Sequence, residues 1–310
     1  MISLAANAVT RKFEKQRLKR VSRSFYLSLR LLPEPMRNAA RVAYLLARIS
    51  DTLADTVAVP LDLRIHALEK FRDSIRQKSK LLPWPGSLLD AVSNLHERDL
   101  LKCSNEILFQ LKQLPHGEIE LIDEVLETII SGQMLDLEYF SNADGLNPIA
   151  FQDEAALEDY TWRVAGCVGA FWTKLGFQTL GNRFSEVDRA ELLVRGIAYG
   201  KGLQLVNILR DLPADLATGR CYLPVTNPED VQAILDCHAR WLIRAESWIS
   251  EGERYAKTLK IRRLRAATRL PAMIAQSTLE AIRGASWQAL QKRIKVPRYK
   301  VYQAMIRAFF

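Results

Sequence analysis

The sequence predicts an all-α fold in a single domain, residues 1–310, and three observations carry that reading. Apolar residues recur at spacings of three and four over long stretches, the alternation of half-buried strands is nearly absent, and the breaks between stretches are short. Composition agrees. A chain of 310 residues that is 48% hydrophobic and 25% charged, with 14 Gly and 12 Pro, has globular proportions. It excludes a disordered segment, a collagen-like repeat and a disulfide-bonded miniprotein.

In chain order, the helical stretches are 34–58, 61–80, 118–140, 154–180, 185–212, 229–259 and 262–293. Each is rich in Ala, Leu, Arg, Glu and Ile, residues that favour or tolerate helix. The punctuation is Leu82-Pro83-Trp84-Pro85-Gly86, Leu114-Pro115-His116-Gly117, Asp144-Gly145-Leu146-Asn147-Pro148 and the stretch Gly219–Pro228. None is long or Ser/Gly-rich enough for a flexible interdomain linker. The uncharged run 164–173 is about half of the ~20 residues that span a bilayer. Residues 1–30 are basic but lack the apolar core and cleavage site of a secretory signal. Cys103, Cys167, Cys221 and Cys237 are scattered without a CxxC pair, which predicts reduced, mostly buried thiols and a cytoplasmic protein.

The net charge of +9 is concentrated late in the chain: residues 254–310 hold 14 Lys and Arg against Glu280 alone. Such a tail attracts phosphate-rich partners, and charge alone does not choose among nucleic acid, an anionic membrane surface and a phosphorylated ligand.

Two segments narrow the choice. In the stretch 42–55, Val42, Leu45, Leu46, Ile49 and Leu53 form one apolar stripe at helical spacing. Tyr44, Arg48, Asp51 and Asp55 fall opposite, with the carboxylates one turn apart. Residues 199–215 repeat the DxxxD spacing: Gly200, Gln204, Asn207, Asp211 and Asp215 share a face amid apolar neighbours. Two amides and two carboxylates there are costly to bury without partners. Mg²⁺ takes oxygen ligands and typically uses one or two carboxylates plus substrate phosphate oxygens, so the two pairs suit metal ions bridging to a diphosphate. Arg48 and Arg210 would clamp the same oxygens. The reaction class expected is departure of diphosphate to leave a carbocation. A nucleic-acid binder would leave these polar faces unexplained, so nucleic acid is not an expected partner.

These blocks resemble the squalene and phytoene synthases, the head-to-head prenyl transferases. Ser22-Arg23-Ser24-Phe25 followed by Leu31-Leu32-Pro33 is similar to the family's entry helix. Arg48 with Asp51-Thr52-Leu53-Ala54-Asp55 resembles its first aspartate motif, and Tyr160 with Val164-Ala165-Gly166-Cys167-Val168-Gly169 its Tyr…Val-Ala-Gly segment. The most specific block runs from Gln204 through Asn207-Ile208-Leu209-Arg210-Asp211 and Asp215 to Gly219-Arg220-Cys221-Tyr222-Leu223-Pro224. The resemblance implies a single-domain isoprenoid synthase helical bundle around a central apolar cavity, with the aspartate motifs on opposite walls. It implies Asp51, Asp55, Asp211 and Asp215 as Mg²⁺ ligands, and Ser22, Arg23, Ser24, Arg48 and Arg210 as diphosphate contacts. Gln204 and Asn207 would line the polar wall, and Tyr160 would orient diphosphate or assist proton removal beside the reacting carbons.

Gly166 and Gly169 fit either a wall with room for an isoprenoid chain or close helix packing. Phe25, Tyr44, Phe171 and Trp172 are candidate cavity aromatics. Pro213, between the last two aspartates, removes a backbone donor and can kink or end the helix, which would put Asp215 on a following turn. Trp287 stands where related synthases often have a diphosphate-binding tyrosine, and that role is not carried over. The Asp-Thr-x-x-Asp form of the first motif resembles that of squalene synthases, and the resemblance implies farnesyl diphosphate as substrate and squalene as product, with NADPH quenching the final cation. Without reductant, proton loss would give dehydrosqualene or phytoene. Non-catalytic relatives have lost the aspartates, whereas all four stand here. The basic tail suits peripheral attachment to anionic lipid, into which an apolar product must pass.

Overall fold

The computed structural model describes residues 25–77, 83–292 and 294–308, and these group into two compact units that divide between Ile130 and Ser131. Ser22, Arg23 and Ser24 lie outside the described residues.

In the first unit, α1 (Phe25–Leu31) gives way to α2 (Glu34–Asp55) at Pro33, and the Arg37 guanidinium donates to the Leu32 carbonyl from Nε at 3.0 Å. The stripe read from the sequence is the buried face of α2: Val42, Leu45, Leu46, Ile49 and Leu53 are all 3% exposed or less. α2 stops at Asp55 rather than running to residue 58, and Pro60 opens α3 (Leu61–Arg76). Three short helices follow that the sequence reading did not contain: α4 (Gly86–Ala91), α5 (Leu95–Lys102) and α6 (Ser104–Lys112). Each is three turns or fewer, too short for a clear 3.6-residue period, so packing of residues such as Leu88, Leu101 and Leu108 defines them. The division between the units falls within α7 (His116–Tyr139).

In the second unit, the stretch 154–180 is three helical pieces in unbroken succession: α8 (Glu154–Thr161), a single π-helical turn (Trp162–Gly166) and α9 (Cys167–Leu180). α10 (Arg189–Ala217) starts at Asp188, whose carboxylate accepts from the Glu191 amide at 2.9 Å, and α11 (Val231–Thr258) is capped likewise by Asp230. The stretch 262–293 divides into α12 (Arg262–Ile282) and α13 (Trp287–Gln291), because Gly284 takes a left-handed φ of 66° between them. α14 (Arg298–Arg307) closes the described chain.

The core of this unit is laid down by Leu205, Val206, Leu209 and Leu212 of α10 against Trp241, Ala245 and Ile249 of α11 and Ala275 and Leu279 of α12. Gly169 settles one of the alternatives: a Cβ there would stand 1.8 Å from the Gly196 carbonyl, so this glycine serves the close crossing of α9 and α10 rather than room for a ligand. Among the described residues β1 (Ile149–Ala150) pairs in parallel with β2 (Arg220–Cys221), and Ser185 and Leu259 form an isolated antiparallel bridge. Gly219, at φ 87°, turns the chain into β2. All four cysteines are buried and free, and among the described residues no helix is long and apolar enough to cross a membrane.

Candidate active site

The first aspartate motif lies on the last turns of α2. Arg48 reaches forward to Asp51 at 3.2 Å and across to Glu97 of α5 at 2.7 Å. Burial alone would lower the Arg48 guanidinium; the charges of Asp51, Tyr44, Glu97 and Asp55 outweigh it and keep the group firmly protonated. Asp51 is half-buried and Asp55 exposed. Glu97 escaped the sequence reading because nothing in a local pattern links it to a residue on another helix.

The second motif corrects an expectation. α10 runs through Pro213 to Ala217 without a break, so Asp215 stands one turn beyond Asp211 on the same helix. Arg210 grips Asp211 through two guanidinium nitrogens, Nε at 3.0 Å and a terminal nitrogen, a fork that fixes the carboxylate plane. Burial, then the charges of Asp211 and Asp136, pushes the Asp215 carboxyl up to about 7 against the opposing pull of Arg220 and Arg210. Asn207 is exposed and Gln204 half-buried. The burial cost anticipated for both amides is therefore not incurred at Asn207, which turns to solvent while its apolar neighbours Val206 and Ile208 fill the core.

Tyr160 lies in the last turn of α8 and is buried, its ring stacked on Tyr222 with centroids 5.0 Å apart at 18°. The Tyr222 hydroxyl donates to Asp136 Oδ1 at 2.7 Å, and Arg220 donates to Asp136 Oδ2 at 2.9 Å. Phe140 and Phe151 meet the Tyr222 ring at steep angles and close the cluster. Burial, followed by Tyr222 and Asp136, raises the Tyr160 hydroxyl well above its ordinary range. At neutral pH Tyr160 is thus a neutral phenol, able to donate a hydrogen bond or present a ring face but not to act as an ionised base. Arg220 and Tyr222 stood in the recognised Gly219–Pro224 block without an assigned role. Asp136 was missed; its one sign was an acid between Leu135 and Leu137 within a helical stretch. Of the remaining aromatics, Phe171 is buried, Tyr44, Trp172 and Trp287 are half-buried, and the Phe25 side chain lies outside what is described.

The donor chemistry decides which metal fits. Among the described residues no group of three or more His, Cys, Asp and Glu forms an all-protein cage. A helical carboxylate pair suits a hard, oxygen-seeking cation, and Mg²⁺, which the resemblance implies, would be held by such carboxylates. Metal-free, the second pair is a liability. Because the folded Asp215 carboxyl titrates near 7 and the unfolded one near its ordinary 3.8, this group costs stability progressively as pH rises from about 4 to 7. D215N is therefore expected to raise the Tm of chelator-treated protein at pH 8, with the gain shrinking toward pH 5. An equal or lower Tm at pH 8 would contradict the assigned environment.

Among the described residues the chain is helical apart from one short strand pair, and each unit carries a DxxxD pair beside an arginine on a helix. The squalene/phytoene synthase family model matches residues 18–300, and the chain belongs to that family. A bifunctional lycopene cyclase/phytoene synthase of Leptosphaeria maculans is 32% identical over 210 residues, 67% of this chain and 33% of that protein. The chain thus spans about a third of such bifunctional relatives. A presqualene diphosphate synthase of Zymomonas mobilis is 28% identical over 298 residues, covering 92% of this chain and 89% of the relative. The solved structure of TcSQS with a bound ligand superposes with a TM-score of 0.78 at 21% identity, over 96% of this chain and 85% of that one.

Proposed function

We propose that the protein condenses two molecules of farnesyl diphosphate head to head, through a cyclopropylcarbinyl diphosphate, to squalene. The observation that carries this reading is the continuous helix holding Asp211 and Asp215. A half-buried carboxylate held near pH 7 beside a second one is strained until a cation arrives. Asp51, Asp55, Asp211 and Asp215 would hold Mg²⁺, whose chemistry is to neutralise the departing diphosphate. Arg48 and Arg210 would each bind diphosphate oxygens, as would Ser22, Arg23 and Ser24, with Gln204 and Asn207 in the polar lining. Tyr160, neutral and backed by Tyr222, donates a hydrogen bond to diphosphate, and its ring face stabilises the allylic cation. NADPH supplies the hydride that converts the last cation to squalene.

The names of two relatives point to a second set of outcomes from the same site, phytoene or release of presqualene diphosphate, beside the squalene that others name; dehydrosqualene would form by the same proton loss as phytoene. α14 leaves Tyr299 and Ile306 exposed beside exposed Arg307, within the basic segment, which supports contact with an anionic lipid surface.

One assay tests both parts. Protein is incubated with farnesyl diphosphate and Mg²⁺, with and without NADPH, in the presence of sedimentable phosphatidylglycerol vesicles. Squalene formed only with NADPH is the expected product. Dehydrosqualene in both reactions, or accumulated cyclopropyl diphosphate, moves the protein to the second set. Turnover of neither farnesyl nor geranylgeranyl diphosphate would make it a non-catalytic member of the family. Salt-sensitive co-sedimentation is expected with the anionic vesicles and not with phosphatidylcholine; equal partition would reject lipid contact.

A further inference from the structure

Pro213 has no N–H, so the Leu209 carbonyl, four residues earlier, loses the partner an α-helix would give it, and the proline ring crowds that same oxygen. Such a carbonyl buried without a donor is normally where a helix kinks or ends. Here α10 continues for another turn to Ala217. The replacement donor comes from α11: the His238 side chain, 5% exposed, lies with Nε2 3.2 Å from the Leu209 oxygen. A carbonyl only accepts, so Nε2 carries the proton. Burial lowers the His238 pKa, and the ring is neutral in that tautomer.

We propose that His238 is a positioning residue for the second aspartate motif: its Nε2–H stands in for the amide that Pro213 removes and thereby keeps Asp215 in helical register with Asp211. The oxygen it holds lies two residues before Asp211, on the turn that carries both Arg210 and Asp211. His238 touches neither carboxylate. It acts through the backbone, and the consequence for metal rests on the reading of Asp211 and Asp215 as Mg²⁺ ligands.

The test is a double-mutant cycle of His238 with Pro213, because P213A returns the missing backbone N–H. Four variants are compared in the full chain: H238L, H238Q, P213A and P213A/H238L. Two readouts are taken, amide hydrogen exchange of residues 210–217 in metal-free protein and the Mg²⁺ dependence of turnover. Loss of one such hydrogen bond corresponds to roughly a five-fold change in an equilibrium. H238L is expected to speed exchange on that turn about five-fold and to raise the half-saturating Mg²⁺ concentration by a similar factor, with kcat at saturating metal changed less. H238Q, which retains an N–H donor, recovers part of both. P213A/H238L recovers both, and P213A alone stays close to the parent.

Unchanged exchange in H238L, or a defect that P213A leaves uncorrected, overturns the proposal. Should H238L fail to fold, recovery of folded protein by P213A reports the same coupling, and failure to recover refutes it. Faster exchange with an unaltered Mg²⁺ dependence leaves the helix assignment standing and overturns the metal role given to Asp215.

Discussion

D211N is expected to lower turnover at saturating prenyl diphosphate by roughly a thousand-fold, the scale on which removal of a preorganised charge acts on a developing anion. The substitution keeps the shape of the side chain and one acceptor oxygen. It removes the negative charge that pairs with the Arg210 fork and that, on the functional reading, holds Mg²⁺ beside Asp215. The fold should survive: Asp211 is half-buried rather than part of the core, and loss of its charge relieves one of the forces that drive Asp215 upward. Far-ultraviolet circular dichroism should be unchanged and the Tm of metal-free protein should not fall. Stabilisation by Mg²⁺ with inorganic diphosphate, a shift in Tm expected of the parent, should largely disappear. Activity within ten-fold of the parent would remove Asp211 from the metal site.

D136A should have the largest effect on stability. Asp136 is 7% exposed and satisfies two donors at once, the Arg220 guanidinium and the Tyr222 hydroxyl. Its removal strands a mostly buried cation and an unpaired phenol. The cost of breaking a buried pair is about 3–5 kcal/mol, and the lower end applies because the Arg220 side chain keeps 26% of its exposure and some hydration. For a unit of this size that is a fall in Tm of roughly 6–10 °C. D136N keeps an acceptor for Tyr222 and loses only the charge, so it should fall by less. Both should slow turnover more than they weaken substrate binding, because Tyr222 is the platform on which Tyr160 stacks. A Tm within 2 °C of the parent in D136A would show that the network contributes little.

Much of this molecule is legible in one dimension. The apolar stripe of α2, the DxxxD pairs on α2 and α10 and the long helices after residue 115 follow from local periodicity, which a 3.6-residue repeat imposes whatever surrounds it. The short helices between residues 86 and 112 do not, since two turns carry too little period and their stability comes from burial. Gly169 shows the same limit: its residue type signals that something approaches closely, but only the crossing with Gly196 says what.

Sequence alone determined the helical class, the positions of the four aspartates and the resemblance that points to prenyl diphosphate chemistry. Tertiary structure decided which groups serve them. Glu97 reaches Arg48 across 49 positions, Asp136 joins Arg220 and Tyr222 from 84 and 86 positions away, and His238 donates a hydrogen bond to the Leu209 carbonyl from 29. Helix periodicity is a contest among neighbours a few residues apart. The partner of a buried charge or an orphaned carbonyl is whatever packing brings within hydrogen-bonding distance, and the chain distance to it carries no signature. Pro213 makes the point at a single residue: by local rules it ends a helix, and a buried histidine on another helix lets it continue.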